Sequence, residues 1–233
     1  MSAIRRPVDE DSGALVPDRH PRLAVTILCA AGIVVALRQT IIVPLIPRLP
    51  ALLDADPGNT AWGLPITPLA GAVVTPIGGR LGDMYGKRLM LLISMGSVAV
   101  GSAVCAVSDS LPPFLVGRAL QGLGFGTIAL GISVMRDIVP PRHLGSSVGT
   151  MSASLGIGGA LGMPFAAAIA QYVSWHALFW VCGAAALAGA VGIAIVVPSS
   201  PSRTGGRFDF VGALGLDGRL VFLLLPLSKG SAW

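Results

Sequence analysis

The stretch GGRLGDMYGKRLM, residues 78–90, sets four glycines, one aspartate and three basic residues between two strongly apolar runs. A charged connection this short cannot hold a domain, so it is a tight turn between two helices. Gly78 and Gly79 are expected to end the first helix, because a residue without Cβ closes a last turn in a left-handed conformation. Asp83 is expected to accept backbone N–H bonds at the start of the next, while Lys87 and Arg88 meet lipid phosphate or a neighbouring helix's C-terminus.

What flanks the turn decides the class. The 233 residues are 53% hydrophobic and only 12% charged, with 31 glycines and 18 prolines, and mean hydropathy is +0.78. No soluble domain covers its surface with so little charge. Apolar runs near 23–47, 62–77, 89–107, 114–134, 145–171 and 177–197 each approach the length of a membrane-spanning helix, and a poorer seventh lies at 210–227. None alternates polar and apolar residues, which argues against a β-barrel. The fold class is therefore all-α, a polytopic membrane helix bundle. The expected organisation is a disordered cytoplasmic tail (1–21), six helices (22–197), a cytoplasmic linker (198–209) and a partial seventh span (210–233).

Basic residues cluster on alternate connections. With the N-terminus inside, the inner segments carry Arg5, Arg6, Arg19, Arg22, Arg80, Lys87, Arg88, Arg136, Arg142, Arg203 and Arg207, whereas the outer ones carry only Arg48 and Lys229. Positive loops stay cytoplasmic, so the chain is expected to be multi-pass in a cell membrane with its N-terminus in the cytoplasm. The net charge of +5 is then explained by anionic membrane lipid, and no nucleic acid is implied. Arg5-Arg6 is not a twin-arginine signal, because Pro7, Asp9, Glu10 and Asp11 stand where an apolar run should follow. Cys29, Cys105 and Cys182 sit singly in apolar runs as small packing residues, and no metal site is expected.

The turn at 78–90 resembles the motif G-x-L-x-D-x-x-G-R/K-R/K of the major facilitator superfamily, which joins the second and third helices of those secondary transporters. Gly79, Leu81, Asp83, Gly86, Lys87 and Arg88 are in register between the right two runs. The resemblance implies a charge-and-dipole latch between two transporter halves, with Asp83 as its carboxylate. Met84 stands where a basic residue often follows the Asp, so one arm of that network is missing.

The fourth run, GRALQGLGFGTIALG, resembles the family's R-x-x-x-G-x-x-x-G through Arg118, Gly122 and Gly126, with Gln121 as commonly found. A charge inside an apolar helix is costly unless it faces a partner or cavity, so Arg118 either faces inward or snorkels to the outer interface. The resemblance associates it with proton coupling; a guanidinium does not release a proton under physiological conditions, so its part would be to tune a carboxylate or water. Gly122, Gly124, Gly126 and Gly131 provide a thin face for close packing. The fifth run carries Gly145, Gly149, Ala153, Gly158 and Gly162 before Pro164, resembling the exporter signature of the superfamily; ordinary close packing is the alternative. SWHALFW places Trp175, His176 and Trp180 at the outer interface.

Two departures stand out. Many fourteen-span exporters of the family carry an Asp in the first helix within L-D-x-T, but ALRQTIIVPLIP has Arg38 there, followed by Gln39. A positive charge reverses the local electrostatics, so either the substrate is not a simple cation or the site has decayed. The second departure is extent: the sequence corresponds to one six-helix half, whereas the family places its substrate at the midplane between two.

The resemblance therefore implies a secondary transporter, similar to a proton-coupled exporter of drugs or small molecules in truncated form. Gly79, Asp83, Gly86, Lys87, Arg88 and Arg118 would gate or couple, and Arg38, Gln39, Gln121, Gly122, Gly158, Gly162 and Pro164 would line the substrate path. No cofactor is expected beyond the proton gradient: the glycines of the fourth run lack the G-x-x-x-x-G-K-[ST] of a phosphate loop. The alternative is a non-transporting fragment or membrane interaction protein that pairs with a copy of itself or a separate C-terminal half. An enzyme is not expected, because His20, His143 and His176 are scattered and no nucleophile has a base.

Overall fold

The computed structural model describes residues 21–172 and 174–198. Among them there is no strand, and six helical segments are long and apolar enough to cross a membrane. They run over Pro21–Leu52, Pro57–Tyr85, Lys87–Ala106, Leu111–Ile138, Pro141–Tyr172 and Trp175–Val196, and are called the first to sixth helices below. The seventh run and almost all of the expected tail and linker lie outside the described residues.

Prolines and small polar residues set the boundaries. Pro112 and Pro113 open the fourth helix in its first turn, where their missing N–H groups cost nothing. Ser174 caps the sixth, its hydroxyl accepting from Ala177 N at 3.2 Å. Pro47 tightens the end of the first helix into a 3-10 stretch over Val43–Arg48, and a 3-10 turn at Ala61–Gly63 precedes the main part of the second, Ile66–Tyr85.

The second helix departs from expectation. Gly78 and Gly79 do not end it: they are helical, with open space where a Cβ would stand, and the helix continues to Tyr85. The break falls at Gly86, at φ 106 and ψ 130, which serves as C-cap of one helix and N-cap of the next. A side chain at that φ would be strained by about 1–3 kcal/mol, so Gly86 makes the turn. Asp83 consequently lies in the last turn of the second helix and makes no cap bond to the third.

Helix contacts have an internal symmetry. The most extensive join first to fifth, third to sixth, third to fourth, second to fourth and first to sixth. Exchanging helices one, two and three for four, five and six maps this set onto itself: first–fifth becomes fourth–second, first–sixth becomes fourth–third, and third–sixth is unchanged. Two three-helix repeats thus build one bundle. The sixth helix keeps Trp180, Leu187, Val191 and Ile195 exposed, and the third keeps Leu89, Ile93 and Val100, as lipid-facing surfaces require.

The interior is divided. One apolar cluster gathers Leu28, Val35, Leu91, Met95, Val98, Leu130 and Ile193. The other gathers Ile41, Leu45, Cys105, Phe114, Leu178 and Phe179, with Trp175 stacking edge-on against Phe114 and Phe179. Between them lies a buried polar layer: Arg38 falls between Val35 and Ile41 on the first helix, Ser102 between Val98 and Cys105 on the third, and Arg118 and Gln121 between Phe114 and Leu130 on the fourth.

Candidate functional site

The polar layer is built around Arg118, which is wholly buried. It does not snorkel. Its Nε donates to the Gly63 carbonyl at 3.2 Å, where the second helix changes from 3-10 to α geometry. Its Nη1 donates to Gln121 Oε1 at 2.8 Å, and Gln121 Nε2 donates to Ser102 Oγ at 2.8 Å. In return Thr67 Oγ1 donates to the Arg118 carbonyl at 3.0 Å. Helices two, three and four are thereby tied at one depth, by bonds that a low-dielectric interior strengthens. Arg118 Nη2 has no hydrogen-bond partner among the described residues.

Glycines let the helices come this close. A Cβ on Gly101 would stand 2.6 Å from the Gly117 carbonyl oxygen, and one on Gly122 would stand 2.6 Å from the Thr67 carbonyl oxygen. The fourth-helix glycines do not form one thin face: Gly122 meets the second helix, Gly124 Val98 of the third, and Gly131 Met151 of the fifth.

Arg38 lies in the same layer, 1% exposed. Its guanidinium carbon stands 5.0 Å from the centroid of the Phe125 ring, a cation–π distance. None of its three nitrogens has a hydrogen-bond partner among the described residues, and Gln39 Oε1 and Thr127 Oγ1 are likewise buried without one.

Gly158 and Gly162, placed in the substrate path on the sequence, are buried against the first helix: a Cβ on Gly158 would meet the Ile33 carbonyl oxygen at 2.5 Å, and one on Gly162 the Leu37 carbonyl oxygen at 2.9 Å. They serve helix packing. Pro164 is exposed within the fifth helix.

At the end of the bundle that carries residues 78–90, the charged turn divides its charges. Lys87 Nζ pairs with Asp137 Oδ2 at 2.8 Å, joining the start of the third helix to the end of the fourth. A cation at a helix N-terminus and an anion at a C-terminus are each on the unfavourable end of the macrodipole, so the pair relieves both. Arg88 donates through Nη2 to the Ala194 carbonyl in the last turn of the sixth helix. Asp83 is exposed at the C-terminal, negative end of the second helix, and no ion pair holds it among the described residues. At the opposite end of the bundle His176 stacks on Trp175 with ring centroids 3.8 Å apart and stands 3.7 Å from Asp109.

Ser102, Thr67, Gly63 and Phe125 were missed by motif reasoning. A hydroxyl inside an apolar run was the available signal for the first two, since such groups need a buried partner; nothing in the sequence pointed to the Gly63 carbonyl.

A repeat-symmetric six-helix bundle with a buried arginine in its fourth helix and a glycine-broken basic turn after its second defines one half of a secondary-transporter fold. The family model for the Major Facilitator Superfamily matches residues 28–227, and the chain belongs to that superfamily. It is 33% identical over 210 residues to a tetracenomycin C resistance and export protein of Streptomyces glaucescens, covering 88% of this chain and 38% of that one. An uncharacterised MFS-type transporter of Mycobacterium tuberculosis is 29% identical over 225 residues, covering 95% of this chain and 33% of that one. The human transporter MFSD10 superposes with a TM-score of 0.66 at 20% identity, covering 84% of this chain and 53% of that one, a likeness of fold alone. The chain spans between a third and two-fifths of the length of these curated relatives. It is a multi-pass membrane protein of the transporter family.

Proposed function

We propose that this chain forms part of a secondary active transporter that expels small molecules across a cell membrane, driven by the proton gradient, with its N-terminus in the cytoplasm. The observation that carries the reading is the division of charge at the turn. Lys87 and Arg88 are engaged inside the bundle, while Asp83 is left exposed on the unfavourable end of its own helix dipole. An anion so placed is favourable once the N-terminus of a helix from a second bundle faces it, and that contact forms or breaks as two bundles rock. The export function named for the Streptomyces relative supports the direction.

Arg118 positions rather than carries the proton. The acidic side chains among the described residues, Asp54, Asp56, Asp83, Asp109 and Asp137, all lie at helix ends or connections, so none of them shares the polar layer with Arg118. Gln121 and Gly122 hold Arg118 and the second helix in place. A second reading, an interaction unit that docks on another six-helix bundle without moving substrate itself, is favoured by the low burial of the second helix, the least buried of the six. The partner would be a second copy or a separate half.

The test is retention of fluorescent probes of either charge, ethidium and a carboxyfluorescein, in an exporter-deficient bacterial host. Cells expressing the chain should lose at least one probe faster than vector controls, and a protonophore should abolish the difference. Equal retention at confirmed membrane expression contradicts transport by this chain and leaves the docking reading.

A further inference from the structure

We propose that Arg38 is an anion-binding residue and that the transported small molecules are organic acids, taken up against the guanidinium whose face Phe125 covers. This deepens the transport reading by naming the substrate class.

The argument starts from charge. Two arginines, Arg38 and Arg118, are buried in the polar layer within coulombic range of one another, and no acidic residue among those described lies in that layer. A buried charge is ordinarily paired, and like charges side by side raise the cost of each. Arg118 is largely satisfied by Gly63 and Gln121. Arg38 is not: all three of its nitrogens are without a hydrogen-bond partner among the described residues, and the Phe125 ring is the group that offsets its charge. A ring face is a weak substitute for a carboxylate, and it leaves the in-plane donors of the guanidinium unused.

The surroundings fit an acid with an apolar body. Phe125 is half-buried, its ring packs over Gly71 of the second helix, and it belongs to the 3-10 turn Leu123–Phe125, where the helix ladder is interrupted. Gly124 brings the fourth-helix backbone against the guanidinium: a Cβ there would stand 3.3 Å from Arg38 Nη2. Thr127 Oγ1 and Gln39 Oε1 are further buried polar atoms without partners. Turning the Phe125 ring aside would open the guanidinium fork to a carboxylate, which would neutralise one of the two positive charges. A lipophilic cation would instead add a third positive charge to a layer without acids.

The experiment is ligand-dependent thermal unfolding of the purified chain in detergent, with salicylate as the anionic probe and tetraphenylphosphonium as the cationic one. Salicylate should raise the unfolding midpoint saturably and tetraphenylphosphonium should not. Arg38→Gln should weaken salicylate binding about tenfold or more, the loss of a charge-assisted bond. Arg38→Lys should retain part of it, and Phe125→Leu should strengthen it. Arg80→Gln, which changes an exposed arginine on the second helix, should leave it unchanged. Should Arg38→Gln fail to fold, the lysine and leucine variants decide, because salicylate binding indifferent to both overturns the proposal. So does stabilisation by the cation, or no stabilisation by salicylate, the result expected if a carboxylate elsewhere in a longer protein neutralises Arg38. Because binding is read without flux, a chain that binds salicylate yet expels nothing would fail the transport reading, and with it the substrate class, and leave only the anion site at Arg38 standing.

Discussion

Arg118→Ala should lower the stability of the bundle by about 2–5 kcal/mol, from a buried cavity and two neutral acceptors left without a donor. Two causes act together. The truncation opens a cavity in a layer where Arg118 has no exposure, and it strips the Gly63 carbonyl and Gln121 Oε1 of their donor. Against this stands the relief of no longer burying a charge, worth about 2.5–3.5 kcal/mol on insertion scales. The arginine's own cost is already offset by its bonds in the folded state, whereas the orphaned acceptors have no alternative partner inside the bundle, so the loss wins. The same logic makes the effect non-additive: a triple variant, Arg118→Leu with Gln121→Leu and Ser102→Ala, removes donors and acceptors together and should be less destabilised than Arg118→Ala alone. Unfolding midpoints in detergent check both, and a triple variant clearly less stable than the single one would show that the network is not the source of the effect.

Gly101→Ala should be nearly as damaging although it adds a single methyl group. The new Cβ would lie 2.6 Å from the Gly117 carbonyl oxygen and 2.8 Å from Gln121 N, both backbone atoms that no rotamer change can move. Helices three and four would have to separate by the better part of an ångström, stretching the Gln121–Ser102 bond that crosses the same gap. A cost of about 3 kcal/mol, the upper end for overpacking, is expected. Gly96→Ala on the same helix is the control. No atom lies within 4 Å of its Cβ position, so the gain in helix propensity should leave it neutral or more stable by about 0.5–1 kcal/mol. Equal effects at the two glycines would contradict close helix contact at Gly101.

These contrasts show what was legible in the sequence. The six spans could be read from composition and run length because lipid imposes one requirement on every residue of a span. The turn at 78–90 was recognisable from residue spacing, but its glycines were misassigned. Gly78 and Gly79 look like a helix end, yet only Gly86 adopts a positive φ, and sequence alone does not say which of several nearby glycines carries the break. The fifth-helix glycines show a related ambiguity: a small residue serves a cavity or a close backbone contact equally well, and only the Ile33 and Leu37 carbonyls opposite Gly158 and Gly162 decide for contact. The burial of Arg118 was foreseeable as one of two outcomes, since charge in an apolar run must find a partner. Its partners were not, because two of them, the Gly63 carbonyl and the Thr67 hydroxyl, lie 55 and 51 residues away.

In the proposed transport cycle the exposed carboxylate at the turn works between bundles and does not hold this one together. The most direct test of that role is efflux by the Asp83→Asn variant beside the unchanged chain, at matched membrane level, with unfolding midpoints measured on the same preparations. The expected result is loss of protonophore-sensitive efflux with an unchanged midpoint, since Asp83 has no ion pair to lose inside the described bundle. Undiminished efflux in the variant, or a fall in stability that accounts for lost efflux, would contradict it.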